Sequence, residues 1–283
     1  ENNTQEPGSG ADDEKIADEF NSLVEKEKNP GKLLEFINAN ISNASEKTAT
    51  RMVLKLEDAQ NAYIGELEKQ YSDADMQAAL MEIFKDGVYN LKAEDIRDIN
   101  TDEEVKAMLA ETLACGYRIE TAEGTFFPII DYSIYLAYAG YVSPDIAAYH
   151  KLMAAESDKV PAKDAALVIT WDEVVERALN MEKFLDEYGD SPRVDAVENL
   201  YLKYITFTYF GLNNTPLYEY GSKKMRTDAK EAYLKAISSN TSGSGDISSE
   251  YIKQLAEFMK LAENENYKLT DAIEEYRKDL GGF

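Results

Sequence analysis

Cysteine, histidine and tryptophan each occur once in this 283-residue chain, and that scarcity excludes whole classes of protein. Cys115 alone cannot close an intrachain disulfide, so this is not a small secreted fold stapled by cystines. With His150 as the sole imidazole, zinc sites built from several histidines have no ligands, and a Ser-His-Asp triad would need His150 itself as its base. Long apolar runs are missing too. The longest apolar-rich stretch, Ile129 to Val142, is interrupted by Asp131, Ser133 and several tyrosines, and falls short of the roughly 18 apolar residues that mark a transmembrane helix. Positive charge is the last shortage: 30 Lys and Arg stand against 54 Asp and Glu, a formal net charge of −24. A surface of that sign repels phosphate polymers, so neither nucleic acid nor an anionic membrane surface is an expected partner.

The spacings that chemistry demands are also missing. There is no glycine-rich phosphate loop ending in Lys and Ser or Thr, no nucleophile elbow, no paired-histidine zinc helix and no Ser-x-x-Lys. No calcium loop with acids at alternate positions before a glycine occurs either. The sequence therefore assigns no catalytic residue, no metal ligand and no cofactor. Carboxylate pairs are so frequent among 54 acids that proximity along the chain carries no information. A hydrolase of cell-wall or carbohydrate polymers, which needs only two carboxylates, stays open as an alternative function.

What the chain does carry is helical periodicity. Ile16, Phe20, Leu23 and Val24 form one apolar stripe, closed by Asn29-Pro30-Gly31, and Leu33, Leu34, Ile37 and Ile41 form a second. From about Ser45 to Tyr71 the residues Met52, Leu56, Ala59, Tyr63, Leu67 and Tyr71 recur every three or four positions, a helix of roughly 40 Å. Asp73 is placed to cap the next helix, which Gly87 would end, and Thr101-Asp102-Glu103-Glu104 reads as a capping box. The pattern then breaks. Tyr117–Glu120 and Thr125–Ile129 flank a short glycine-containing loop and read as a β-hairpin lying on a helical surface, with Pro128 at an edge.

Helices resume after it. Ser143-Pro144 opens one through His150, another runs from about Ala162 or Thr170 to Tyr188, and Asp190-Ser191-Pro192 leads into a third ending near Phe210. A polar loop, Ser238 to Asp246, separates a helix around Lys224 to Ile237 from two final helices, about Ser248 to Ala262 and Thr270 to Leu280. The expected fold is mainly all-α, with about ten helices packed as a bundle plus antiparallel helical hairpins and one β-hairpin near 117–129. In domain terms the expectation is a disordered tether over 1–13, a helical bundle over 14–116, the β-hairpin at 117–130 and a helical-hairpin region over 131–283. The hairpin marks the seam, and the two helical halves are compatible with a single domain.

Residues 1–13, ENNTQEPGSGADD, have no large apolar side chain and are rich in Asn, Gly, Ser and acid, a flexible composition. This stretch resembles the tether that follows the lipidated cysteine in mature lipoproteins of Gram-positive bacteria. The resemblance implies a processed, extracytoplasmic protein at the cell surface, whose one membrane attachment is a lipid upstream of Glu1. A low cysteine count and 23 Lys to 7 Arg agree with that placement. A second stretch, Phe184-Leu185-Asp186-Glu187-Tyr188-Gly189-Asp190-Ser191-Pro192, resembles the inter-helix turn of tetratricopeptide-like repeats of bacterial envelope proteins, with Gly189 where those repeats commonly have proline. It implies antiparallel helical hairpins; no repeat of about 34 residues recurs elsewhere.

Aromatic residues are the one compositional surplus, with 19 tyrosines. Tyr132, Tyr135, Tyr138 and Tyr141 fall at every third position, Tyr201, Tyr204, Phe207, Tyr209 and Phe210 crowd another helix, and Tyr218 and Tyr220 follow. On an α-helix a spacing of three drifts by about 60° per step, so the first group cannot all face one core. Tyr132, Tyr135, Tyr138, Tyr141, Tyr201 and Tyr204 are thus the candidate ligand-binding residues, since a phenol offers a flat face and a hydroxyl to a peptide, protein or glycan. The alternative is that these rings fill seams between helices. His150 reads as a half-buried or surface histidine, Cys115 as a small buried hydrophobe and Trp171 as core. The leading function is a non-enzymatic extracytoplasmic binding or scaffold protein, expected to be monomeric; a structural subunit of an envelope complex is a further alternative.

Overall fold

The structure, a computed structural model, describes residues 11–85 and 91–281 and forms two compact units, 1–158 and 159–283. The chain is mainly helical, as its periodicity requires. In the first unit, α1 (Ala11–Lys26) and α2 (Pro30–Asn40) pack against the long α3 (Glu46–Tyr71), followed by α4 (Ala74–Ile83) and α5 (Glu103–Ala114). Local chemistry sets these limits. Asn29 caps α2 through Gly31 N–H, with Pro30 at the position where its missing N–H costs nothing. Ser45 accepts from Thr48 N–H at the start of α3, and Asp73 accepts from Asp75 and Met76 N–H at the start of α4.

Two expectations at these helix ends change. The last three residues of the expected tether, 11–13, form the first turn of α1, and Asp13 is held by Ser45 and Thr48 hydroxyls at 2.9 and 3.0 Å. Those bonds hold the Asp13 carboxyl below its ordinary range against the opposing effect of its burial. Residues 1–10, and the helix-ending role expected of Gly87, lie outside the described residues. At α5 the N-cap is Asp102, and its side chain makes no capping bond, so the box read at 101–104 does not form. The box that does form is at α7 (Trp171–Glu187), where Thr170 and Glu173 cap each other's backbone N–H.

The β-hairpin forms from β1 (Tyr117–Ala122) and β2 (Thr125–Ile130), in the register Tyr117 to Ile130. Its loop is the two residues Glu123 and Gly124, both at positive φ (51° and 74°), the backbone that two-residue hairpins favour. The hairpin is not a seam. It lies inside the first unit, β2 against α3 and α4 and β1 beside α5, and the division between units falls after Asp158. Gln77 of α4 completes the edge of β2, its amide donating to Phe126 O (2.8 Å) and accepting from Phe126 N–H (2.9 Å). Phe126 and Ile119 thereby join Leu80, Phe84, Met108 and Leu109 in one apolar cluster. The unit ends with a 3₁₀ helix over 132–138 and α6 (Pro144–Asp158), which opens at Pro144 as the sequence indicates.

In the second unit α7 packs on α8 (Val194–Phe210), α9 (Thr227–Asn240) follows, and α10 (Glu250–Asn264) and α11 (Asp271–Gly281) close it. The short 188–193 connection between packed helices makes α7 and α8 an antiparallel pair. α8 starts at Val194 rather than at Pro192, and the Ser191 hydroxyl accepts from Arg193 N–H. Two further hairpins, missed in the sequence, are only two residues deep. They are β3 (Ala162–Lys163) with β4 (Ala166–Leu167), and β5 (Gly211–Leu212) with β6 (Thr215–Pro216). Residues 162–167 are therefore not the start of a helix. The turn Asp164–Ala165, at positive φ, is held by Asn214, whose N–H donates to Ala165 O at 2.8 Å. Trp171 is core, 4% exposed, with its ring edge-on to Tyr233.

Candidate functional site

The period-three tyrosines resolve on the geometry of their helix. Residues 132–138 are 3₁₀, with three residues per turn, so Tyr132, Tyr135 and Tyr138 eclipse one another and all face the core. Their exposures are 8%, 0% and 4%. Adjacent rings stand 5.5 and 6.3 Å apart. These three are corrected from surface site to core, since buried rings present nothing to a partner. Tyr141, beyond the 3₁₀ segment, stays exposed. Tyr204 is also buried, its hydroxyl accepting from Arg177 Nη1 at 3.1 Å, while Tyr201 is half-buried against Tyr251. Four of these six tyrosines belong to the first unit and two to the second.

A buried polar frame accompanies the stack. Tyr132 and Tyr149 both donate to Glu57 Oε1 (2.8 and 2.5 Å), and Tyr135 donates to Gln60 Oε1. His150 is not at the surface; it is 1% exposed and stacks on Tyr135 at 4.3 Å between ring centres. Cys115 is buried as expected, and burial pushes its thiol up to about 11. This assembly is sealed and fixes the core of its unit.

Burial also raises the phenols. Tyr63, Tyr71 and Tyr138 are pushed up to about 12 and Tyr135, Tyr209 and Tyr233 further, well above the ordinary value of about 10. The folded state thus keeps protons that the unfolded state loses above pH 10. Its stability is full below about pH 10 and falls as pH rises beyond it. In an alkaline titration, phenolate absorbance of the buried set is expected to rise together with loss of helical ellipticity. Ionisation of all 19 tyrosines before any helix is lost would contradict their burial.

A surface concavity with aromatic walls lies elsewhere, in the second unit. α8 ends at Gly211, whose φ of +71° turns the chain out of the helix into β5. After β6 the chain passes through Leu217 and Tyr218 into a tight turn, where Lys223 N–H donates to Glu219 O at 2.8 Å. That turn carries Tyr220, 73% exposed, with its hydroxyl on Asn213 O at 3.0 Å. α11 packs along α8 and brings Arg277 over the Phe210 ring, Cζ 4.6 Å from its centre and 5.6 Å from that of Tyr218. Together they line an open cleft of about 620 Å³, with Phe210, Tyr218, Tyr220 and Leu269 as its apolar surfaces and Glu219, Lys223, Glu274 and Arg277 as its charges.

The electrostatics of this cleft are unbalanced at one residue. Burial lowers the pKa of Arg277, partly offset by the Tyr218 phenol and the Glu274 carboxylate. Among the described residues its side chain makes one hydrogen bond, from Nη1 to Tyr209 O at 3.3 Å, and no ion pair. A second cleft of similar size, bordered by Trp171, Asp172, Arg226, Asp228 and Lys235, differs in this respect. There Arg226 pairs with Asp228 (3.2 Å) and Lys235 with Asp172 (2.7 Å). A smaller recess beside α4 and α5 is lined by Asp73, Asp75, Asp102 and Glu104 without a basic residue. Among the described residues no group of three or more His, Cys, Asp or Glu could hold a metal.

Of the residues that line the aromatic cleft, Tyr218 and Tyr220 belong to the aromatic surplus visible in the sequence. Arg277 carries no local signal, because only the packing of α11 on α8 sets it over Phe210. Compared with known proteins, the chain matches no protein-family model, no curated protein and no solved structure.

Proposed function

We propose that this chain is a non-enzymatic binding protein working outside the cytoplasm, and that the aromatic cleft of its second unit is the ligand site. The observation that carries this reading is the exposed Tyr220 ring at a cleft floored by Phe210 and Tyr218 and containing a basic residue, Arg277, with no ion-pair partner among the described residues. An exposed aromatic ring in a folded protein is a stacking surface for a sugar or peptide face. A volume of about 620 Å³ falls within the range of small-ligand sites, about 300–1,000 Å³. The extracytoplasmic placement rests on the composition of residues 1–13 and on the single cysteine.

The test is calorimetric titration with short peptides and neutral oligosaccharides, comparing the unaltered protein with Tyr220→Ala. The substitution removes a largely exposed ring, so the thermal midpoint should move little, while affinity for the cleft ligand should fall roughly tenfold. Equal affinity in the two proteins would take the ligand out of this cleft. A hydrolase remains the second reading because Glu219 and Glu274 both line the cleft. Turnover of an oligosaccharide that is lost in both Glu219→Gln and Glu274→Gln would replace binding with catalysis.

A further inference from the structure

We infer that the cleft recognises a short peptide by its free C-terminal carboxylate, held by Arg277 and the Tyr218 hydroxyl; this rests on the binding reading above. Two donors there lack acceptors. The Tyr218 hydroxyl belongs to a residue only 3% exposed that lines the cleft, and among the described residues it has no hydrogen-bond partner. The Nε of Arg277 is buried and likewise without a partner. A buried polar group left unpaired is costly, and a ligand that supplies the acceptor recovers that cost on binding.

The shape of the vacant donor set narrows the acceptor. Nη1 of Arg277 is engaged by Tyr209 O, which leaves the Nε–Nη2 edge of the guanidinium. Two parallel N–H groups on one edge match the two oxygens of a carboxylate. The planar cation packs over the Phe210 ring and near the Tyr218 ring, so little side-chain freedom is lost when it binds. Charge selects among carboxylates. Glu219 and Glu274 share the lining with Lys223 and Arg277, and the whole chain carries −24. A polyanionic uronate would meet that field throughout, whereas a free peptide brings one carboxylate and one ammonium group, the latter matched by the two glutamates.

The experiment titrates the full chain with a set of free tripeptides, their C-terminal amides and digalacturonate, and repeats it on Tyr218→Phe, Arg277→Lys and Arg277→Gln. Emission of Trp171 in each variant reports whether the second unit is folded. The expected result is that the free tripeptides bind, that amidation weakens binding roughly 10- to 100-fold, and that Arg277→Gln abolishes the difference between acid and amide. Tyr218→Phe, which removes only the hydroxyl, should cost several-fold in affinity, and Arg277→Lys should fall between Gln and Arg because it keeps the charge but loses the fork. Acids and amides binding equally well would overturn the carboxylate anchor and leave the cleft as a binding site. Digalacturonate binding in place of the peptides, lost in Arg277→Gln, would overturn the peptide and keep the anchor. Absence of binding by all three probes, with Tyr220→Ala also without effect on any ligand, would overturn both this inference and the function it rests on.

Discussion

Gly211→Ala is expected to lower the unfolding midpoint of the second unit by roughly 10 °C, from a loss of about 3 kcal/mol or more. Gly211 closes α8 with φ +71° and ψ −146°, a backbone region open to glycine and strained for any residue with a Cβ. A Cβ built there would stand 2.2 Å from Thr215 O, 2.8 Å from Leu217 N and 3.0 Å from Pro216 C, all backbone atoms that cannot rotate aside. The neighbouring hydrogen bond, Leu217 N–H to Phe210 O at 3.0 Å, is the one that folds β6 back on the end of α8. Trp171 is the only tryptophan and lies in the second unit, so its emission on heating follows this unit. Gly221→Ala is the control. It lies in the same unit with open space around it, and it should melt within about 0.5 kcal/mol of the unaltered protein. A midpoint for Gly211→Ala within 2 °C of that control, by about the same arithmetic, would contradict the geometry of this corner. Because Gly211 also lines the aromatic cleft, the same substitution should weaken any ligand bound there.

The long, strongly periodic elements were legible because their apolar stripes and caps agree. Ser45 and Tyr71 bound α3, and Asn29 and Pro30 open α2, where side-chain caps act through neighbours one to three residues away. Legibility failed where the backbone period itself was in question. Tyrosines at every third position contradict an amphipathic α-helix but fit a 3₁₀ helix, and the same spacing that suggested a surface stripe is what buries Tyr132, Tyr135 and Tyr138 together. The small hairpins at 162–167 and 211–216 lack the β-branched alternation that marks strands. They are held by bonds between distant segments, such as Leu167 N–H to Thr215 Oγ1 at 3.2 Å, which leave no local trace. The candidate site shares that property. Its tyrosines stood out in composition, but Arg277 meets Phe210 and Tyr218 only through helix packing. His150 reads as half-buried or surface for a related reason: its stacking partner, Tyr135, lies fifteen residues back in the chain and meets it only through packing.

Gln60→Ala should be the most damaging change to the first unit, at about 4–6 kcal/mol, a large part of the stability a domain possesses. Gln60 is 0% exposed and works at both ends of its amide. Nε2 donates to Cys115 O (2.9 Å) and Gly116 O (3.1 Å), where α5 gives way to β1, and Oε1 accepts from Tyr135. The glycine at 116, with φ +75°, exists to admit this amide, since a Cβ there would stand 2.6 Å from Nε2. Truncation strands the Cys115 carbonyl and the Tyr135 phenol in the core, each costing about 1–3 kcal/mol, and opens a cavity besides, while Gly116 O keeps the Asp131 N–H at 3.0 Å. Gln60→Met separates the two contributions: it keeps the volume and removes the bonds, so it should recover less than half of the loss. The reporter is Cys115, the sole cysteine, buried and with its thiol pushed up to about 11, so that labelling requires the unit to open. A loss of about 4 kcal/mol multiplies the open population, and with it the labelling rate, roughly a thousandfold. A rise of less than tenfold, or Gln60→Met labelling as slowly as the unaltered protein, would show that packing rather than hydrogen bonding holds the junction of α5 and β1 on α3.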